Sequence, residues 1–307
     1  MTDAARTVAP LFDDPHWPRA GRWPSALRAS ESVGVGIIGV PTWRTSLSAT
    51  GAHATPAAIR AALQRYGTFA PGVDWPSVAD FGDVTEPDGD GEAEAVAAVR
   101  TAASRAGLVI ALGGDNALTY SVALGAWSAG EAGDRVGDAG LITIDAHHDL
   151  RDGISNGAPV RRLLEAGLDG RRTVQLGIAD FANSAFYDGC AREAGITIVP
   201  RGDFEERRLD DIVAQALATA GSAGGPIHVD VDVDACDRSV APACPASVPG
   251  GLSAYQLRRT VRLLARDERV TSLDIAEVDA TRDAADGRTV RLCALVVLEA
   301  IAGFAER

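Results

Sequence analysis

Two short stretches concentrate the residues with chemistry to offer. "LITIDAHHDL" carries Asp145, His147, His148 and Asp149, and "HVDVDVDACD" carries Asp230, Asp232 and Asp234. In extended chain, alternation puts Asp145, His147 and Asp149 on one side. In the second stretch it sets the three aspartates opposite Val229, Val231 and Val233. Solvated acidic edges would be the plain reading, but both runs emerge from apolar segments of the kind that lie centrally in a sheet. Carboxylates converging there repel one another unless cations neutralise them. Oxygen ligands with one imidazole suit Mn²⁺ best among the first-row divalent ions. An aspartate shared from each strand would bridge two ions about 3.5–4 Å apart, the spacing at which a bridging water becomes a hydrolytic nucleophile. His148 faces the other way and is expected to pack or support. Asp230 lies two residues, roughly 6.6–6.8 Å, deeper than Asp232. It is expected to orient a ligand or pair with an arginine. A third stretch, "LVIALGGDNALTY", ends an apolar run in Gly113, Gly114, Asp115 and Asn116. The glycines would let the backbone approach the metals, with Asp115 in support and the Asn116 carbonyl as an oxygen donor.

These residues need a scaffold. "VGVGIIGV", "LVIAL", "GLITIDAHHD", "RTVQLGI", "GITIVP", "PIHVDVDVDACD" and "VTSLDIAEVDA" read as strands. Helical patterns lie among them: "TPAAIRAAL" with Thr55 as N-cap and Pro56 first, "EAEAVAAVRTAASRAG" closed by Gly107, "LDDIVAQALATAG", "SAYQLRRTVRLLAR" and "TVRLCALVVLEAIAGFAER". Apolar strands alternating with helices predict an α/β fold with a mostly parallel sheet covered on both faces. Ligands in such folds sit beyond the carboxyl ends of the strands. The organisation expected is an irregular arm over residues 1–32 and a single catalytic domain over 33–307.

Composition excludes several classes. A net charge of −13 argues against nucleic-acid partners. All 29 cationic residues are arginine, which excludes a Schiff-base lysine and a P-loop lysine. No apolar run approaches the roughly 18 residues that span a bilayer. Cys190, Cys236, Cys244 and Cys293 show no CxxC spacing, and the N-terminus does not read as a targeting peptide, so a cytoplasmic protein with reduced thiols is expected.

The ordered motifs "GVGIIGVPTW", "ATPAAIRAAL", "DFGDV", "GGD", "DAHHD", "DVDACDRSVAPACPASVPGG" and "LDIAEVD" together resemble the ureohydrolases: arginase, agmatinase, formimidoylglutamase and relatives. The resemblance runs from about residue 33 to the C-terminus. It implies an arginase-like three-layer α/β/α fold, a pair of Mn²⁺ ions at the strand ends, and hydrolysis of a C–N bond in a guanidine or linear amidine by a metal-bridging hydroxide. Carried over by motif, one ion takes Asp145, His147, Asp232 and Asp234, and the other takes Asp145, Asp149, Asp232 and position 116. Asp149 and Glu277 are the residues implied to act on the reacting group, Glu277 by holding a cationic amidinium. Homo-oligomers, trimer or hexamer, are implied as well.

Two positions depart from the commonest pattern. Asn156, in "GISNGAP", stands where arginases and agmatinases carry a histidine, which resembles the formimidoylglutamase branch. Asn116 stands where a metal-binding histidine is usual. The substrate expected is therefore formimidoylglutamate, with Asn156, Arg151, Asn183, Arg44 and Arg161 as candidates to bind it. An agmatinase-like or guanidino-acid hydrolase, or a metal-depleted non-catalytic relative, are the alternatives.

Overall fold

A computed structural model describes residues 13–25, 31–129 and 135–307. Eight strands form one sheet: β1 (Val33–Val40), β2 (Val78–Asp83), β3 (Ala106–Gly113), β4 (Gly140–Ile144), β5 (Thr173–Ile178), β6 (Thr197–Pro200), β7 (Ile227–Asp232) and β8 (Val270–Ala276). Their order is β2-β1-β3-β8-β7-β4-β5-β6, and every pairing is parallel. β2 is the strand the apolar pattern misses, because its second half is exposed at the sheet edge.

Strand alternation divides the interior. In β3, Leu108, Ile110 and Leu112 enter a core shared with α1 (Thr55–Leu63), α7 (Leu209–Ala220), α8 (Ala254–Ala265) and α9 (Arg288–Ala305). Val109 and Ala111 point oppositely, toward α2 (Glu92–Ala103) and α3 (Leu118–Trp127). Beyond them, α3, α4 (Pro159–Glu165) and α5 (Ala185–Glu193) enclose a further cluster around Trp127, Leu141 and Leu163. A short α6 (Asp203–Glu206) follows β6. The result is the three-layer α/β/α arrangement expected.

Three local expectations are corrected. Ala54, not Thr55, caps α1, and the Thr55 hydroxyl donates instead to the Val278 carbonyl at 2.6 Å. Helix α2 ends at Ala103, and Gly107 lies inside β3, where a Cβ would press on the Phe304 ring. The first acidic strand stops at Ile144, so strict alternation does not place Asp149.

Residues 1–12 and 26–30 of the expected arm lie outside the described residues. Within 13–25, Arg19 bridges Gly67 and Ala20 is fully buried, so this part is packed on the domain. All four cysteines carry free thiols. No described helix is long and apolar enough to cross a membrane.

Candidate metal centre and substrate cleft

The topology explains why the acidic residues meet. β3, β8, β7 and β4 are consecutive in the middle of the sheet although the chain visits them in a different order. Connections diverge at such a switch point and leave a crevice at the carboxyl ends of the strands. Asn116 follows β3, Glu277 follows β8, Asp232 ends β7 with Asp234 in the turn after it, and Asp145, His147 and Asp149 follow β4.

The loops are tied to one another through backbone. Asp232 accepts from the Asp234 N–H at 2.8 Å, and Asp234 accepts from the Ala146 N–H at 3.0 Å. Asp145 accepts from the His147 N–H at 2.6 Å, and the Glu277 N–H donates to the Gly114 carbonyl at 2.9 Å. Asp149 and Glu277 adopt left-handed backbone, with φ of 52° and 62°. That costs about 1–3 kcal/mol per non-glycine residue and is characteristic of functional sites.

The electrostatics calls for cations. Asp145, Asp149, Asp230, Asp232, Asp234 and Glu277 are all buried. Burial and the neighbouring Asp234 push Asp145 up to about 7. Asp149 is raised by burial and by Asp145, and Asp232 by burial and by Asp234. His147 responds in the opposite sense. Burial disfavours its imidazolium, but Asp234, at 2.7 Å from Nδ1, and Asp145 outweigh that and raise it to about 12. The protonated ring stands in for a cation. Carboxylate and imidazole donors from Asp145, His147 and Asp234 gather within 4.8 Å of one another, as do those of Asp145, Asp149 and Asp230. Asp145 Oδ2 is buried with no hydrogen-bond partner. Orphaned oxygens, and carboxylates that hold an imidazole protonated, fit a pair of hard divalent ions.

Residues 33–303 match the Arginase family. This chain belongs to that family. A formimidoylglutamase of Halalkalibacterium halodurans is 33% identical over 306 residues, covering 95% of this chain and 94% of that protein. The solved structure of Bacillus subtilis formimidoylglutamase superposes with a TM-score of 0.88 at 29% identity, covering 99% of this chain and 96% of that one. Trypanosoma cruzi formiminoglutamase, crystallised with Mn²⁺, gives a TM-score of 0.84 at 25% identity over 95% of this chain and 99% of that one. The Arginase-family chain is a metal-dependent hydrolase of amidines, with the α/β fold of these relatives.

Above the carboxylates lies a cleft of about 340 Å³ lined by His147, Asp149, Arg151, Asn156, Asn183, Tyr187, Asp232, Asp234 and Glu277, among others. Asn156 reaches the floor, where its amide donates to both Glu277 oxygens at 3.0 Å. Its own oxygen accepts from the Leu47 N–H at 2.9 Å. The Asn116 N–H donates to Glu277 at 3.0 Å. Burial raises Glu277, and these two donors oppose the rise. Arg151 is the one arginine that lines the cleft among the described residues, and its guanidinium meets no carboxylate there.

Other expectations move. Asn183 lines the cleft, but its side chain is committed to the His148 N–H and the Ala146 carbonyl, so it braces the loop after β4. Arg44 lies elsewhere, paired with Glu86 and set over Trp43. Arg161 is likewise outside, held by Glu165 and by the carbonyls of Arg151 and Gly153. His148 is buried and shares a 2.6 Å hydrogen bond with Gln175, a supporting place. The two glycines of the β3 loop also serve close backbone packing. Cβ atoms there would strike the Ile275 carbonyl and the Thr42 backbone. Asp230 pairs with no arginine among the described residues. Its carboxylate gathers with Asp145 and Asp149. Sequence reasoning also missed the polar seam beneath them, where His228 bonds Asp274 at 3.0 Å and Ser272 at 2.8 Å. The alternation of "IHVDVD" with "SLDIA" was the available signal, but register is needed to use it.

Proposed function

We propose that this chain hydrolyses formimidoylglutamate to glutamate and formamide with two Mn²⁺ ions. The observation that carries the substrate is the pairing of opposite charges across one cleft. Glu277 lies buried at the floor, and the unpaired guanidinium of Arg151 lies at the rim. A cationic amidine suits the first and a carboxylate suits the second. Agmatine, with a cationic tail, would bring like charge to Arg151.

In this reading Asp145, His147, Asp232 and Asp234 would hold one ion, and Asp145, Asp149, Asp232 and Asn116 would hold the other. Two divalent ions in such a place supply a nucleophilic water near neutral pH and polarise the carbon under attack. The protein's own residues do the positioning. Glu277, fixed by Asn156 and the Asn116 N–H, holds the amidinium plane over the carboxylates. Arg151 sets the length of the substrate, and Asn183 keeps the His147 loop in register. Free thiols suit a reducing cytoplasm, and a homotrimer or homohexamer is the assembly light scattering would find.

The test is product identity. Mn²⁺-loaded protein is offered formimidoylglutamate, agmatine and guanidinobutyrate in parallel. Formamide and glutamate from the first, with little urea from the others, is the expected result. Urea from a guanidine as the faster reaction overturns the substrate. No turnover of any amidine by a chain loaded with two ions overturns the catalytic reading.

A further inference from the structure

Of the aspartates Asp145, Asp149, Asp230, Asp232 and Asp234, Asp230 is the one that the ligand scheme above does not use. It lies on β7 opposite Thr143 of β4 and Asp274 of β8. Its side chain is completely buried, and neither of its oxygens receives a hydrogen bond. The Thr143 hydroxyl opposite it makes no hydrogen bond, and Asp274 could donate only by carrying a shared proton. Gln175 is committed to His148, and both ring nitrogens of His228 are taken by Asp274 and Ser272. An isolated buried carboxylate is among the most costly groups a fold can contain. Its oxygen instead shares space with those of Asp145 and Asp149, all three within 4.8 Å.

Asp145 and Asp149 are the pair assigned above to the ion that would also use position 116. There the side chain is an amide, and it is partly engaged. The Asn116 oxygen accepts from the Thr119 hydroxyl at 2.7 Å, and its nitrogen donates to Asp149 at 2.6 Å. An amide oxygen is a weaker donor than imidazole or carboxylate. The weak donor and the unexplained strong one therefore converge on the same ion.

We propose that Asp230 is an additional carboxylate donor to the Asn116-side metal, supplying from β7 the binding strength that the β3 loop lacks. The resulting set is all oxygen, so this position favours Mn²⁺ over the softer Zn²⁺. The inference rests on the reading that the carboxylates hold two ions, but not on the identity of the substrate.

Chelated wild type, Asp230→Asn and Asp230→Ser are titrated by calorimetry with Mn²⁺ and, separately, with Zn²⁺. Metal per chain is counted after dialysis, and the melting temperature of each metal-free protein is recorded. The expected result is two ions in the wild type. In both variants one ion is unchanged and the other is weakened at least roughly tenfold, with the preference for Mn²⁺ over Zn²⁺ reduced. The metal-free variants should melt at or above the wild-type temperature, because a carboxylate has left an uncompensated cluster. Unchanged Mn²⁺ affinities in the variants overturn the inference and assign Asp230 to a proton shared with Asp274. Metal-free variants that melt lower or fail to fold also overturn it, since they show a packing role. Two ions bound with no amidine turned over would remove the substrate reading and leave this one standing.

Discussion

Asn116 and Arg151 carry the most specific consequences at the scale of single residues. The Asn116 amide is divided between Thr119 and Asp149, so its hold on a metal competes with two hydrogen bonds. Replacing it by histidine restores a stronger donor, and Asn116→His is expected to retain Mn²⁺ through dialysis with affinity raised on the order of tenfold. Metal counting after graded chelation measures this, and equal loss from both proteins would contradict it. Arg151→Met removes the unpaired cation at the rim. A charge-assisted contact is worth about 1.5–3 kcal/mol, so KM for formimidoylglutamate should rise about 10- to 100-fold with kcat changed much less. A fall confined to kcat would show that Arg151 does not read the substrate's carboxylate. The sequence offered Arg44, Arg151 and Arg161 on equal terms. Only the positions of Glu86 and Glu165 separate them, by occupying two of the three.

The elements matter through their ends. Each central strand stops where its side chains must leave sheet geometry, and the left-handed backbone at Asp149 and Glu277 marks the turn. The β3 loop is held differently, by contact too close for any side chain. Gly114 lies against the Thr42 backbone, and the Asp115 N–H donates to the Thr42 carbonyl at 2.9 Å. Gly114→Ala therefore cannot be absorbed by a rotamer change. It should destabilise the fold by about 1–3 kcal/mol and loosen the Asn116-side metal as the loop shifts. Denaturant midpoints of the metal-free and metal-loaded proteins test both effects, and a midpoint within error of wild type would refute the contact. The motif "GGDN" announced a tight turn, but not which backbone it was tight against, because Thr42 is more than seventy residues away.

Across the whole molecule, α9 closes the chain onto the sheet, and its last turn is anchored by charge. Glu306 binds Arg262 and Arg266 of the α8 segment with its side chain 20% exposed. The Arg262 hydrogen bond above all holds Glu306 down at about 2, against an ordinary 4.5. A carboxylate depressed in the folded state adds stability that is complete above 4.5 and is lost as pH falls toward about 2. The wild type should thus melt above Glu306→Gln at neutral pH, with the gap narrowing as pH falls below 4.5. A gap independent of pH between 7 and 3 would mean that packing, not ionisation, supplies the difference.

The sequence by itself determined the fold class and the ligand chemistry. Apolar strand runs and helix-spaced repeats are local patterns, and the Asp-rich motifs declare their donors by residue type alone. What only the tertiary structure decided was convergence. The order β3-β8-β7-β4 brings four distant loops to one crevice. The β7–β8 register sets Asp230 beside Asp274 rather than beside an arginine. Side-chain competition turned Asn156 onto Glu277 and Asn183 onto the loop after β4. These are contacts between residues far apart in the chain, and local propensity holds no information about which partner a polar side chain will find.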